Sequence, residues 1–182
     1  MTINKIQEEV INDLEDLETI EKYEYLINLG KLLPQISEKD KIDKNKIVGC
    51  QSRAWIFETD KLPKPNIQNL NPKTCTKSQD NLELENKESL NQEKNQILLQ
   101  NIPSNLSQTL EQKLFFGGFS DSQIVCGLLG LLWKIFDGQT KNEILHSDLF
   151  LLTRIGFDEL LTVRRREGFW QIYDKIIEMC KS

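Results

Sequence analysis

Apolar positions recur three and four residues apart in the first part of the chain. Ile3, Ile6, Val10, Leu14 and Leu17 predict an amphipathic helix within residues 3–17, with acids on its opposite face. A second helix is expected after Thr19, whose hydroxyl suits an N-cap, with Glu21 in the first turn where the helix dipole favours a negative charge. Its apolar face uses Tyr23, Leu26, Ile27, Leu29, Leu32 and Leu33, and Pro34 ends it. Residues 37–46 are mostly charged and read as a surface loop. The run Ala54-Trp55-Ile56-Phe57 then suits a buried strand near residues 53–59.

The pattern breaks at Lys61. From there to Lys113 the chain has no aromatic residue and no glycine, and Pro63, Pro65, Pro72 and Pro103 fall in this stretch. Such a segment buries too little apolar surface to offset its ordering entropy. About residues 62–94 are therefore expected to be a mobile insertion, with Ile97-Leu98-Leu99 and Ile102 as a short strand or an edge contact. An apolar fraction of only 38% fits a chain that does not pack throughout.

Periodicity returns at Leu114-Phe115-Phe116-Gly117-Gly118-Phe119, read as a strand ending in glycines. Ser120 with Gln123 has the spacing of a capping box. The helix that follows is apolar on several sides, through Ile124, Val125, Leu128, Leu129, Leu131, Leu132, Ile135 and Phe136, as a central core helix must be. Gly127 and Gly130 each cost that helix about 1 kcal/mol against alanine, so a backbone packed closely on a neighbour is expected there. Asp137-Gly138 stops it, and Thr140 with Glu143 forms a second capping box. A short helix from Leu149 to Ile155 should close at Gly156. A last helix carries Phe169, Ile172, Tyr173, Ile176, Ile177 and Cys180 on one face. Three arginines, Arg164 to Arg166, stand at its start and read equally as solvated or functional; two cations beside the helix start are poorly placed for its dipole, so a carboxylate partner is expected. Helices, then two or three strands, then helices describe an α+β fold with a small antiparallel sheet.

Charge and cysteine count narrow the chemistry. A net charge of −5 argues against binding nucleic acid through its backbone. No apolar run approaches the ~20 residues that span a bilayer, so a soluble intracellular protein is expected. Cys50, Cys75, Cys126 and Cys180 include no C-x-x-C pair. His146 is the only histidine and is read as a surface or capping residue, so a zinc site of the usual spacing finds no support. Absence of C-x-x-C also disfavours a thiol–disulfide enzyme. Cys180, on an apolar helix face, reads as packing, and Cys126 stands on a core helix, where a thiol is slow to ionise and hard to reach. Cys50 differs: Gly49 before it, two small polar residues after it and an apolar strand beyond put it on a tight loop near the surface. A lone cysteine is more often a small packed side chain than a reactive one, so the loop alone does not settle its role.

Ile47-x-Gly49-Cys50-Gln51-Ser52-x-x-Trp55 resembles the active-site segment of the SufE/CsdE family of sulfur acceptors. The segments Tyr25-Leu26-Ile27-x-Leu29-Gly30-x-x-Leu33-Pro34, Ser120-Asp121-x-x-Ile124-Val125-x-Gly127-Leu128 and Phe136-x-Gly138-Gln139-Thr140 resemble that family too, in the same order. The resemblance covers nearly all of the chain except the insertion, and it implies one SufE-like domain over residues 1–182. It implies that Cys50 takes persulfide sulfur from a PLP-dependent cysteine desulfurase of SufS/CsdA type, stimulates that enzyme, and passes the sulfur to the Fe–S scaffold complex. PLP would belong to the partner, leaving no cofactor and no metal for this chain and no independent turnover. Gly49, Gln51, Asp121 and Arg165 would support Cys50. The compartment implied is the cytoplasm, or the plastid stroma if a transit peptide has been removed. Three departures stand out: the insertion, Cys126 where a basic residue is frequent, and Glu167 in place of Asn in a Ser-Arg-x-Asn-Gly-like turn that Arg165 and Gly168 otherwise match. The competing class is a non-catalytic binding protein on the same fold that uses the insertion to hold a partner.

Overall fold

The computed structural model describes residues 1–34, 36–59 and 112–182. The expected insertion at 62–94, the strand at Ile97–Leu99, Ile102 and Cys75 lie outside the described residues.

Helix α1 spans Ile3–Leu14 and is capped by Thr2, whose hydroxyl accepts from the Lys5 amide at 3.4 Å. Helix α2 spans Thr19–Leu32. Its N-cap is Glu18 and not Thr19, because Glu21 reaches back to accept from the Glu18 amide at 2.8 Å. A carboxylate three residues on thus outcompetes the hydroxyl. Two short 3₁₀ turns, Glu38–Asp40 and Asp43–Asn45, lead to strand β1, Ala54–Glu58.

Strand β2, Phe116–Ser120, pairs antiparallel with β1, from Ala54 opposite Ser120 to Glu58 opposite Phe116. The two glycines lie inside β2 and do not end it. The chain leaving α2 runs against them: the Gly118 amide donates to the Pro34 carbonyl at 3.2 Å, and a Cβ on Gly117 would meet that carbonyl at 2.8 Å.

Helix α3, Gln123–Phe136, is the centre of the core and contacts α1, α2, β2 and the C-terminal helix. Leu128, Leu129, Leu131, Leu132, Ile135 and Phe136 are all fully buried. Its N-cap is Ser122, which accepts from the Val125 amide at 3.4 Å; Ser120 sits two residues earlier and accepts from the Ser122 amide at 3.2 Å. The neighbour expected for Gly127 and Gly130 is α2. A Cβ on Gly127 would come within 2.6 Å of the Leu26 carbonyl oxygen, one on Gly130 within 2.5 Å of the Leu29 carbonyl carbon, and one on Gly30 within 2.7 Å of the Cys126 carbonyl carbon. The two helices therefore touch backbone to backbone.

Asp137 ends α3 and accepts from the Phe116 amide at 3.2 Å. Burial raises its carboxyl from 3.8 to about 6, against the lowering effect of that hydrogen bond. A folded-state value above the unfolded one means that this group stabilises most when protonated. Its contribution is full below the unfolded value and is lost as pH rises through about 6. Asp137→Asn keeps an acceptor for Phe116 and removes the titration. The variant should therefore gain stability relative to the unmodified protein between about pH 5 and pH 7.5. Paired denaturant midpoints at the two pH values check this, and a constant difference would refute it.

Helix α4, Lys141–Leu145, opens with the expected Thr140/Glu143 capping box. Lys141 is buried, and its Nζ pairs with Glu58 Oε1 at 2.9 Å, which ties α4 to the end of β1. His146 caps α4, its Nδ1 2.8 Å from the Asn142 carbonyl. The segment expected as one helix from Leu149 to Ile155 is shorter, α5 at Leu151–Arg154. Gly156 closes it with φ of 68°, and a further turn, α6, runs over Phe157–Leu160. Helix α7, Val163–Lys181, buries Phe169, Ile172, Ile176 and Cys180. Among the described residues the fold is α+β with a two-stranded antiparallel sheet.

Candidate functional site

The loop carrying Cys50 is closed at its base. The Ile47 amide donates to the Ala54 carbonyl at 2.9 Å, and Lys46 bridges to Trp55 in antiparallel fashion. Ile47 points into the core, whereas Val48 is 78% exposed. Gly49 turns the chain with φ of 89°, a left-handed angle that a Cβ would strain. That turn brings Cys50 back toward the core, where it is half-buried against the hydrophobic cluster. Gln51 is exposed and Ser52 intermediate.

Two distant segments fix this loop. One is Asp121, just beyond β2. Its Oδ1 accepts from the Arg53 amide at 3.1 Å and its Oδ2 from Arg53 Nε at 3.0 Å, while its own amide donates to the Arg53 carbonyl at 3.2 Å. The other is α7. A Cβ on Gly168 would lie 3.3 Å from Cys50 Sγ, and one on Gly49 would lie 3.5 Å from Gln171 Cδ. Gly168 and Gln171, three apart on one helix, thus form a shelf under the loop. Arg165 is exposed one turn before Gly168. Neither Arg164 nor Arg165 forms an ion pair among the described residues, whereas Arg166 is engaged.

Asp121 reaches the loop through Arg53, which the sequence reading did not single out. Gln171 was missed as well. Both had a weak signal: Arg53 lies inside the Cys50 segment, and Gln171 is one turn on from the matching Gly168.

The Arg53–Asp121 pair is exposed, 73% and 39% for the two side chains, so it adds little to global stability. Its effect is local. Asp121→Ala should lower stability by less than about 1 kcal/mol. It should nevertheless speed amide hydrogen exchange at Arg53 and its loop neighbours. Unchanged exchange at Arg53 would mean that the loop does not depend on the clamp.

The other thiols differ in setting. Cys180 is 3% exposed, and burial pushes it up to about 11. Cys126 is less enclosed than expected. It is half-buried and lines a cleft of about 230 Å³ with Ile27, Gly30, Lys31 and Asp121. Burial raises its pKa, and it exchanges weak hydrogen bonds with the Ser120 backbone at 3.3 and 3.5 Å. No group of three His, Cys, Asp or Glu side chains suited to a metal ion occurs among the described residues. No helix among them is long and apolar enough to cross a membrane.

A family model described as SufE, an Fe–S metabolism associated domain, matches residues 8–67 and 101–180, and so includes the Cys50 loop, Asp121 and the Gly168 shelf. The chain belongs to the SufE family. It is 26% identical over 176 residues to an uncharacterized SufE-like protein of Rhizobium etli, covering 96% of this chain and 88% of the relative. A second uncharacterized SufE-like protein, from Rhizobium meliloti, is 26% identical over 171 residues, covering 93% and 90%. SufE membership associates the chain with Fe–S metabolism.

Proposed function

We propose that this SufE-family chain accepts persulfide sulfur on Cys50 from a PLP-dependent cysteine desulfurase and delivers it to Fe–S cluster assembly. The observation that carries the reading is the half-buried Cys50 thiol on a clamped loop, within the matched family region. In the transfer, the Cys50 thiolate attacks the outer sulfur of the desulfurase persulfide. A new S–S bond forms at Cys50, the old S–S bond breaks, and the desulfurase thiolate leaves. No net oxidation occurs, because one persulfide replaces another. The desulfurase and its PLP supply the C–S cleavage, and this chain supplies the acceptor.

The loop's construction suits the task. A thiol deep in the core cannot meet a second protein, and one on a loose tail is presented in no fixed direction. The Asp121 clamp and the α7 shelf limit the search of the Cys50 side chain, while exposed Val48, Gly49 and Gln51 leave its outer side approachable. Mixing the protein with a SufS/CsdA-type desulfurase and free cysteine, then weighing the intact chain, tests the reading. Gain of sulfur mapped to Cys50 supports it. No gain, with the desulfurase active on its own, favours a binding protein without a transfer role.

A further inference from the structure

We propose that Arg164 holds the outer sulfur of the Cys50 persulfide as an anion; this rests on the sulfur-acceptor reading above. After transfer, Cys50 carries –S–SH. A persulfide is more acidic than the parent thiol, so the terminal S–H loses its proton to solvent and leaves –S–S⁻. That charge sits about 2 Å beyond Sγ, one S–S bond away. The surroundings must receive it.

The shelf residues fix where Sγ sits, and so the ground from which the outer sulfur extends. Residues of a helix turn by about 100° each about the axis. Arg164 therefore lies about 40° from Gly168 and about 20° from Gln171, in line with both contacts to the loop. Arg165 lies about 60° from Gly168 on the other side and about 120° from Gln171. Helical Cα–Cβ bonds lean toward the N-terminus, so a group packed at the Cβ position of Gly168 lies over the preceding turn. Cys50 Sγ is that group, at 3.3 Å. The preceding turn on this row is Arg164, with about 5–6 Å between Cβ positions four residues apart. Arg164 is exposed and forms no ion pair among the described residues, so its guanidinium is available to an incoming anion.

The other charges nearby are committed or turned aside. Arg53 is held by Asp121, and Lys175, two turns further along the row, pairs with Glu178 at 3.1 Å. Glu167 is about 100° around the helix from Gly168. Lys46 is exposed at the loop's base, on the opposite side of Gly49 from Cys50 in the chain. In the SufE-like turn that Arg165 and Gly168 match, position 164 corresponds to the serine.

The test titrates the persulfide itself. The protein is loaded by a desulfurase and cysteine, desalted, and followed by the near-ultraviolet absorbance of the perthiolate as pH is varied. Arg164→Gln should raise the midpoint by roughly half a pH unit, a nearby cation's effect reduced by solvent exposure. Arg164→Lys should restore most of it. The exposed site makes misfolding of these variants a small concern, and far-ultraviolet circular dichroism verifies the fold. An unchanged midpoint in Arg164→Gln, or a larger shift in Arg165→Gln, overturns the proposal while leaving the acceptor reading intact. Failure of the unmodified protein to load on Cys50 removes the acceptor reading itself.

Discussion

Cys50→Ser is expected to keep the fold and lose sulfur transfer entirely. Oxygen replaces sulfur with a smaller atom at a half-buried site, so the shelf at Gly168 is not crowded. The chemistry does not survive, because a serine hydroxyl cannot form the S–S bond that carries the cargo. Thermal unfolding should match the unmodified protein, while sulfur gain in a desulfurase reaction falls to background. The competing site is Cys126, which the structure leaves half-buried beside a cleft. Its thiol is raised by burial and engaged by the Ser120 backbone, so it is the poorer nucleophile. Peptide mapping decides between them. Persulfide found chiefly on Cys126, or undiminished transfer by Cys50→Ser, would move the site to the cleft between α2 and β2.

Gly130→Ala is expected to destabilise the fold strongly although it improves helix propensity. Alanine gains about 1 kcal/mol over glycine inside a helix. Against that, the new Cβ would stand 2.5 Å from the Leu29 carbonyl carbon and 2.6 Å from its oxygen. These are backbone atoms and cannot rotate away, so α2 and α3 must separate. Overpacking of this kind costs about 1–3 kcal/mol or more, and here the separation also loosens fully buried Leu128 and Leu131. A net loss of roughly 2 kcal/mol in a denaturant titration is expected. A variant as stable as the parent would mean that the two helices do not meet backbone to backbone.

Much of this architecture is legible in the residues because local and tertiary demands agree. The α3 helix has so few polar positions that it can only be central, and Gly127 and Gly130 make sense only as a close crossing. The sequence could not say which helix crosses there, since that depends on contacts between distant segments. Capping was read less well. Ser120, Ser122, Glu18 and Thr19 all have suitable chemistry, and backbone direction chooses among them. At the site, the Cys50 segment and Gly49 were readable from local pattern. The Arg53–Asp121 clamp and the Gln171 contact were not, because each joins residues brought together only by folding.

The same distance has a consequence for synthesis. The shelf beneath Cys50 belongs to α7, which lies far downstream of the loop in the chain. Contacts so far apart in sequence form late, after the intervening chain has been confined. On the ribosome the acceptor loop is complete in covalent terms long before it has a floor. A nascent chain therefore carries the thiol without its presentation until α7 has emerged and folded against the loop.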